Sequence, residues 1–347
     1  VKEAVKHTIL VTGGTGYIGS HTAVALLQQG YDVVIADNLC NSSIRILDRV
    51  EQITGTRPRF YPLDVCDAAA LDGLWKNEPG IEAVIHFAAL KAVGESVEKP
   101  LLYYRNNVAS LVHLLEAQVK FGAPLLVFSS SCTVYGEPDT LPVTEESPIK
   151  PAISPYGNTK QIGEQIIRDA THTGKVRSIA LRYFNPVGAH HSGLIGELPI
   201  GKPNNLVPFI TQTAIGKHSE LVVFGDDYPT PDGTCIRDFI HVEDVAAAHV
   251  AAVDRLLHGV QEDAFEVFNI GTGTGYSVLE AIRAFERASG RKLPYRISAR
   301  RPGDIVSVFA DTQRSNRVLG WKAQKNLDDM MGSAWAWEQS LSKDPLL

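Results

Sequence analysis

The chain has 347 residues, 44% hydrophobic and 21% charged, a composition that excludes disordered and disulfide-stapled classes and, at roughly 100–200 residues per domain, suggests two lobes. Lys and Arg number 33 against 39 Asp and Glu, and the net charge of -6 argues against nucleic-acid or anionic-membrane partners. Cys40, Cys66, Cys132 and Cys235 show neither Cys-x-x-Cys spacing nor a zinc pattern, so they read as free thiols of a reduced compartment. Lys2, Glu3 and Lys6 precede only a short apolar run, unlike a signal peptide, and no run approaches the roughly 18 apolar residues of a membrane span. A cytoplasmic protein is expected.

The first 130 residues alternate short β-branched runs with helical patterns. Strands are predicted at 8–11, 32–36, 83–87 and 125–128, and helices at 17–29, 44–54, 68–76 and 101–121. A helix at 156–171 and a strand at 178–183 continue the series. Such alternation marks a parallel sheet with helices on both faces. From 185 to 238 Pro and Gly become frequent and the chain reads as loops. Helices return at 243–257 and 278–288, and 266–270 is a strand that could rejoin the first sheet. The expected fold is a Rossmann-type doubly wound α/β sheet over 1–184, to which 239–270 returns, with a smaller, interleaved C-terminal α/β substrate lobe over 185–347.

Gly14-x-Gly16-x-x-Gly19 lies between the first strand and the first helix. There glycines permit a tight turn and close approach to a pyrophosphate, and the helix N-terminus offers free N–H groups and partial positive charge. Asp37 ends the next strand, where a carboxylate binds the adenosine ribose hydroxyls and repels a 2′-phosphate. With no Arg or Lys before Arg45, NAD is favoured over NADP.

"SPYGNTK" carries Tyr156 and Lys160, four apart and so on one helix face. An ammonium beside a phenol favours phenolate and lowers its pKa from about 10, making a base for a sugar hydroxyl. Ser129, Ser130 and Ser131 follow the 125–128 strand, beyond whose carboxyl end ligands bind in open α/β sheets. Ser131 is the serine suited to the reacting oxygen, and a strand-capping role fits Ser129 better than Ser131.

With "VTGGTGYIGSHT", "DNLCNSS", "HFAALKAVGESVEKP", "FSSSCTVYG", "SPYGNTK", "LRYFNPVGAH", "VFGDDYPTPDGTCIRDFIHVEDVA" and "ARRPGD", nearly the whole chain resembles the extended short-chain dehydrogenase/reductases, and within them the UDP-hexose 4-epimerases. The resemblance implies reversible C4 epimerisation of UDP-galactose and UDP-glucose. Tyr156 would be the base, the C4 hydride would pass to tightly bound NAD, and a 4-keto sugar would rotate before hydride returns to its other face. Lys160 would lower the Tyr156 pKa and bind the nicotinamide ribose, and Ser131 would support O4. It places Gly13, Gly16, Tyr17 and Ile18 at the pyrophosphate, Asp37, Asn38, Asn41 and Ser42 at the adenosine ribose, and Asp64 and Val65 at the adenine. Phe87, Ala88, Ala89, Lys91, Asn106, Ser129 and Phe184 would complete the cofactor site. Lys91, Asn185, Asn205, Leu206, Val223, Phe224, Arg237, Phe239, Arg301 and Asp304 would contact the UDP-sugar. Phe239 replaces the family's usual tyrosine.

The resemblance also implies that Val308 stands at the position that limits room at the sugar's C2, where in the family small residues go with enzymes that also take N-acetylated sugars. UDP-GlcNAc and UDP-GalNAc are therefore candidate further substrates. The resemblance also implies a homodimer through helices near 101–121 and 156–171. Two rivals stand beside this reading. A nucleotide-sugar 4,6-dehydratase would need carboxylates where the chain has Cys132 and Thr133, and a non-catalytic NAD-binding regulator commonly loses the Tyr/Lys pair. No metal site is expected, because His190 and His191 lack acidic or His partners at ligand spacing in sequence.

Overall fold

A computed structural model describes residues 6–201, 203–301 and 304–346. Lys2 and Glu3 of the N-terminal stretch, and Pro302 and Gly303 of "ARRPGD", lie outside the described residues. Contacts divide the chain into two units, one comprising the chain up to Gly136 with Ile149–Arg182 and Ala246–Phe268, the other Glu137–Pro148, Tyr183–Val245 and Asn269 onward.

The first unit is built on a seven-stranded sheet. Its strands are β1 (Thr8–Thr12), β2 (Asp32–Asp37), β3 (Arg59–Pro62), β4 (Ile81–His86), β5 (Leu125–Ser131), β6 (Arg177–Tyr183) and β7 (Phe265–Ile270). They lie in the order β7-β6-β5-β4-β1-β2-β3, and β1 pairs in parallel with both β2 and β4. This is the doubly wound order, with the switch point between β1 and β4 where a ligand crevice opens. The helices are α1 (Tyr17–Gln28), α2 (Arg45–Thr54), α3 (Ala68–Asn77), α4 (Val93–Glu98), α5 (Pro100–Phe121) and α6 (Pro155–Thr171). Leu71, Leu74 and Trp75 of α3, Leu111 and Leu114 of α5 and Ile167 of α6 pack with Leu10, Val34, Val84 and Leu126 of the sheet in one buried core.

Two of these elements carry little sequence signal. β3 is an edge strand with no fully buried residue, so it lacks the apolar run of its neighbours, and α4 is six residues long.

In the second unit the expected loops of 185–238 hold a helix, Leu206–Ala214, and the short strands Asn185–Val187, Leu221–Phe224 and Ile236–Arg237, with a further strand, Phe239–His241, just after them. Pro208 and β-branched neighbours disguise that helix, yet Pro208 sits in its first turn, where no N–H bond is lost. A last helix, Leu327–Lys343, also escapes the sequence reading; Asn326 and Asp329 form a capping box at its start, a signal that could have found it. Its Met330, Met331 and Trp335 pack with Val187, Ile210, Val223, Phe239, Ile282 and Phe285 in this unit's core.

Candidate active site

Gly13 directly follows β1 with φ +69, and a Cβ there would lie 2.8 Å from the Ala88 backbone nitrogen, two residues beyond β4. A Cβ on Gly19 would come within 2.2 Å of the Gly13 carbonyl oxygen. Side chains are thus excluded where the turn meets α1. Gly16 caps α1 without a side-chain bond and the first turn, Tyr17 and Ile18 included, holds no acid, so the helix start is electrostatically suited to a phosphate.

Asp37 is buried at the end of β2, where its carboxylate accepts the Thr15 N–H (3.1 Å) and the Leu39 N–H (2.9 Å). Leu39, at φ 59, is the one positive-φ non-glycine among the described residues. Asn38 donates to Asp64 (3.2 Å), tying this loop to the one carrying buried Val65. The Ser42 hydroxyl meets that of Thr15 at 2.7 Å, and Asn41 is exposed. These features form a cradle open to a dinucleotide, and the carboxylate at the ribose end suits NAD.

Further along, the Phe87 ring packs on His249 at 4.6 Å, Ala88 N–H points at the Thr12 hydroxyl (3.4 Å), and half-buried Ala89 follows. Lys91 Nζ stands 5.8 Å from the Tyr17 ring centroid. The Asn106 side chain donates to Asn107 (2.9 Å). Asn107, absent from the sequence reading, grips both backbone groups of Leu90 and donates to the Thr159 hydroxyl on α6 (3.1 Å). A polar pair on a long amphipathic helix was its signal.

Tyr156 and Lys160 are buried on α6, which starts at the Ser154 cap and Pro155. Lys160 Nζ donates to the Ser129 carbonyl (2.7 Å) and stands 5.9 Å from the Tyr156 ring centroid. Burial pulls the Lys160 ammonium down to about 8, and the Glu164 carboxylate pushes the other way. Ser131 Oγ accepts the Thr133 N–H (3.2 Å). Ser131 thus caps the 3-10 helix Cys132–Tyr135 that follows it directly. One lone pair is spent there, and the hydroxyl proton can still be donated.

In the second unit Arg237 lies in a short strand opposite Val308, which is 5% exposed. Arg237 Nη1 donates to the carbonyls of Ile236 and Ile305 (2.8 Å each), and Asp304 sits 3.6 Å from Nη2. Arg301 forks onto the same carboxylate at 3.2 and 2.9 Å, which holds its guanidinium pKa up. One acid between two guanidiniums leaves a net positive charge suited to a diphosphate. Phe224 is exposed, with Arg301 5.8 Å from its ring centroid.

The sequence reading missed Asp238, which is fully buried and accepts four bonds, from Thr272 N and Oγ1, Gly273 N and Ala310 N, at 2.7–3.1 Å. It thereby fixes the strand bearing Arg237. Asn185 Oδ1 is buried with no hydrogen-bond partner among the described residues, an acceptor open to a ligand. Asn205 caps the 206–214 helix by position only and donates instead to Glu197 (2.6 Å). Leu206, Val223 and Phe239 face the core, and Phe184 is buried with its N–H on the Ile270 carbonyl.

His190 and His191 do have an acidic partner, supplied by tertiary structure. Glu243 Oε1 lies 2.8 Å from His191 Nδ1 and 3.8 Å from His190 Nε2. His190 Nδ1 also meets the Ser192 N–H (3.2 Å) and hydroxyl (2.8 Å), and His190, His191 and Glu243 together form a group whose ligand atoms could hold a metal ion.

The described geometry has clear relatives. Residues 9–271 match the NAD dependent epimerase/dehydratase family. The UDP-glucose 4-epimerase of Bacillus subtilis (strain 168) is 54% identical over 96% of this chain and 97% of its own. A UDP-glucose 4-epimerase structure from Stenotrophomonas maltophila, with bound NAD and formylated UDP-arabinopyranose, superposes with a TM-score of 0.94 at 50% identity, covering 97% of this chain and 99% of that one. The Bifidobacterium longum UDP-glucose 4-epimerase, in complex with NAD+ and UDP, gives 0.91 at 49% identity, over 98% and 99%.

Proposed function

The chain belongs to the NAD dependent epimerase/dehydratase family, and on that premise we propose that it interconverts UDP-galactose and UDP-glucose by reversible epimerisation at C4. The observation that carries this reading is the pairing of a glycine cradle and ribose-directed Asp37 with buried Tyr156 and Lys160 in one unit. The cradle would hold NAD through Gly13, Gly16, Tyr17 and Ile18, with Asp37, Asn38, Asn41 and Ser42 at the ribose and Asp64 and Val65 at the adenine. Bound NAD supplies reversible hydride chemistry at the sugar's C4.

Tyr156 takes the proton of the C4 hydroxyl and later returns it. Lys160, anchored on the Ser129 carbonyl, stabilises the phenolate by its charge, and Ser131 donates its remaining proton toward O4. Arg237 and Arg301 bind the diphosphate, and Asn185 accepts from the nucleotide-sugar. Cys132 and Thr133 stand where a dehydratase needs carboxylates, so the 4-keto stage has no acid and base for elimination.

Val308 adds no aromatic bulk beside Arg237, which supports turnover of UDP-GalNAc and UDP-GlcNAc as well. The working form is a homodimer through α5 and α6, which pack on each other and leave Leu101 and Leu102 exposed. Among the described residues no helix is long and apolar enough to cross a membrane. Among the described residues none of the four cysteines is in a disulfide, which supports a cytoplasmic location.

The test is incubation of the purified protein with UDP-galactose, without added NAD, and chromatography for UDP-glucose, with UDP-GalNAc in parallel. Conversion in the first lane is expected, and none even after NAD is added overturns the reading. No conversion of UDP-GalNAc, with UDP-galactose turning over well, sinks the broader specificity.

A further inference from the structure

Behind the Tyr156/Lys160 pair lies a buried polar network that the mechanism above does not use. Glu164, one helical turn beyond Lys160 on α6, is 5% exposed. Its carboxylate accepts the Ser130 hydroxyl (2.6 Å) and a two-pronged fork from Arg182 Nε (2.9 Å) and Nη2 (2.6 Å). Arg182, on β6, donates its remaining arm to the Tyr135 hydroxyl (2.9 Å) and lies 4.8 Å from that ring's centroid. Gly163 lets the helix close on β5, since a Cβ there would stand 2.8 Å from Phe128 Cζ. Successive residues of β5 are thus gripped by successive turns of α6, the Ser129 carbonyl by Lys160 and the Ser130 hydroxyl by Glu164.

We propose that Glu164, oriented by Arg182 and Ser130, is a positioning residue for epimerisation that seats α6 on β5 and holds Lys160 on the Ser129 carbonyl beside Tyr156. A buried ion pair is a weak device for stability alone, because two desolvated charges rarely outdo apolar side chains of the same size. A carboxylate beside a desolvated ammonium does have a local use, since it offsets the burial that would strip the proton. The other groups facing Lys160 cannot do so. Tyr156 shares its helix, Ser129 and Phe128 offer a carbonyl and a ring from β5, and His86 on β4 is kept neutral by burial, its pKa drawn down to about 3.

This inference rests on the epimerase reading, and its test separates the two. In holoenzyme labelled at lysine side chains, the Lys160 resonance, identified by its loss in Lys160→Met, is titrated without substrate. The variant is Glu164→Gln, which removes the carboxylate charge and keeps the side chain's shape. The expected result is a Lys160 midpoint lower by about one pH unit, with the alkaline limb of kcat moved down equally and KM for UDP-galactose unchanged. Glu164→Asp, which keeps the charge, should restore the limb. If that variant does not fold, Glu164→Gln with Arg182→Met, which also removes the unpaired guanidinium, should lower the same midpoint by a smaller amount. A folded variant with an unmoved Lys160 midpoint and alkaline limb overturns the proposal, whether or not wild-type turnover is found.

Discussion

In the first unit the functional groups come from contiguous stretches at strand ends, and main-chain atoms hold them. Gly13 meets the Ala88 nitrogen, Asp37 takes two backbone N–H groups, and Lys160 rests on the Ser129 carbonyl. In the second unit the candidate groups come from separate segments, and a shared carboxylate is added to the main-chain anchors that Arg237 has on the Ile236 and Ile305 carbonyls. Asp304 stands between Arg237 and Arg301, and Asp238 gathers Thr272, Gly273 and Ala310 behind them. Backbone-held sites are stiff and tolerate no added atom. Sites that share a carboxylate keep their fold when a group is removed and lose affinity instead.

The sharpest way to break this contrast is to remove one group from each side. Tyr156→Phe deletes the base and leaves the fold, so kcat should fall about 10³-fold with an unchanged melting temperature, read by turnover and calorimetry. Arg237→Ala should retain most of kcat while weakening UDP binding by about 2 kcal/mol, or ~30-fold, in a titration with UDP. An equal loss of kcat in both would erase the distinction.

Gly19→Ala drives a methyl group into the Gly13 carbonyl. It should cost about 1–3 kcal/mol of stability and release NAD from the purified protein, measured by thermal melting and by cofactor content.

Stability against pH treats the units alike and so sharpens the comparison. Burial lowers the pKa of His86 in the first unit to about 3 and of His241 in the second to about 4. Below the ordinary value of about 6.5 the unfolded chain takes up protons that these folded sites refuse. Stability is therefore full above pH 6.5 and declines toward pH 4, by up to ~1.4 kcal/mol per pH unit for each histidine. His86→Gln or His241→Gln should flatten the fall in melting temperature between pH 6.5 and 4, and an unchanged slope would show these rings do not drive it.

The smallest effect is expected at Leu39, whose left-handed backbone is held by its N–H on Asp37. Leu39→Gly should change stability by less than about 1 kcal/mol, since relief of strain offsets added chain entropy.

Much of the first unit was legible because its signals are local. The strands of the central sheet are apolar runs and the glycine turn lies between the first of them and a helix, so residues 8–37 could be read as a dinucleotide cradle without knowing what packs against them. Edge strand β3 was not legible, since a half-exposed strand lacks that run. In the second unit Leu327–Lys343 had a capping box and apolar spacing but also Gly332 and scattered serines. Arg237 and Asp304 could be proposed only through family motifs, because 66 intervening residues carry no periodic link between them.

What the amino-acid order determined by itself was whatever depends on neighbours within a few residues: the parallel α/β alternation, the glycine turn, the acid at the second strand's end and the Tyr156/Lys160 face. Tertiary structure alone decided which distant groups share a charge. It brought Glu243 to His191, Arg182 to Glu164 and Thr272 to Asp238, and it set Ser131 as the cap of the 3-10 helix after it. The physical reason is range. Backbone sterics and side-chain periodicity act over a helical turn or a strand pair, whereas desolvation and Coulomb attraction act through space, so the partners of a buried charge are known only after the chain has closed around it.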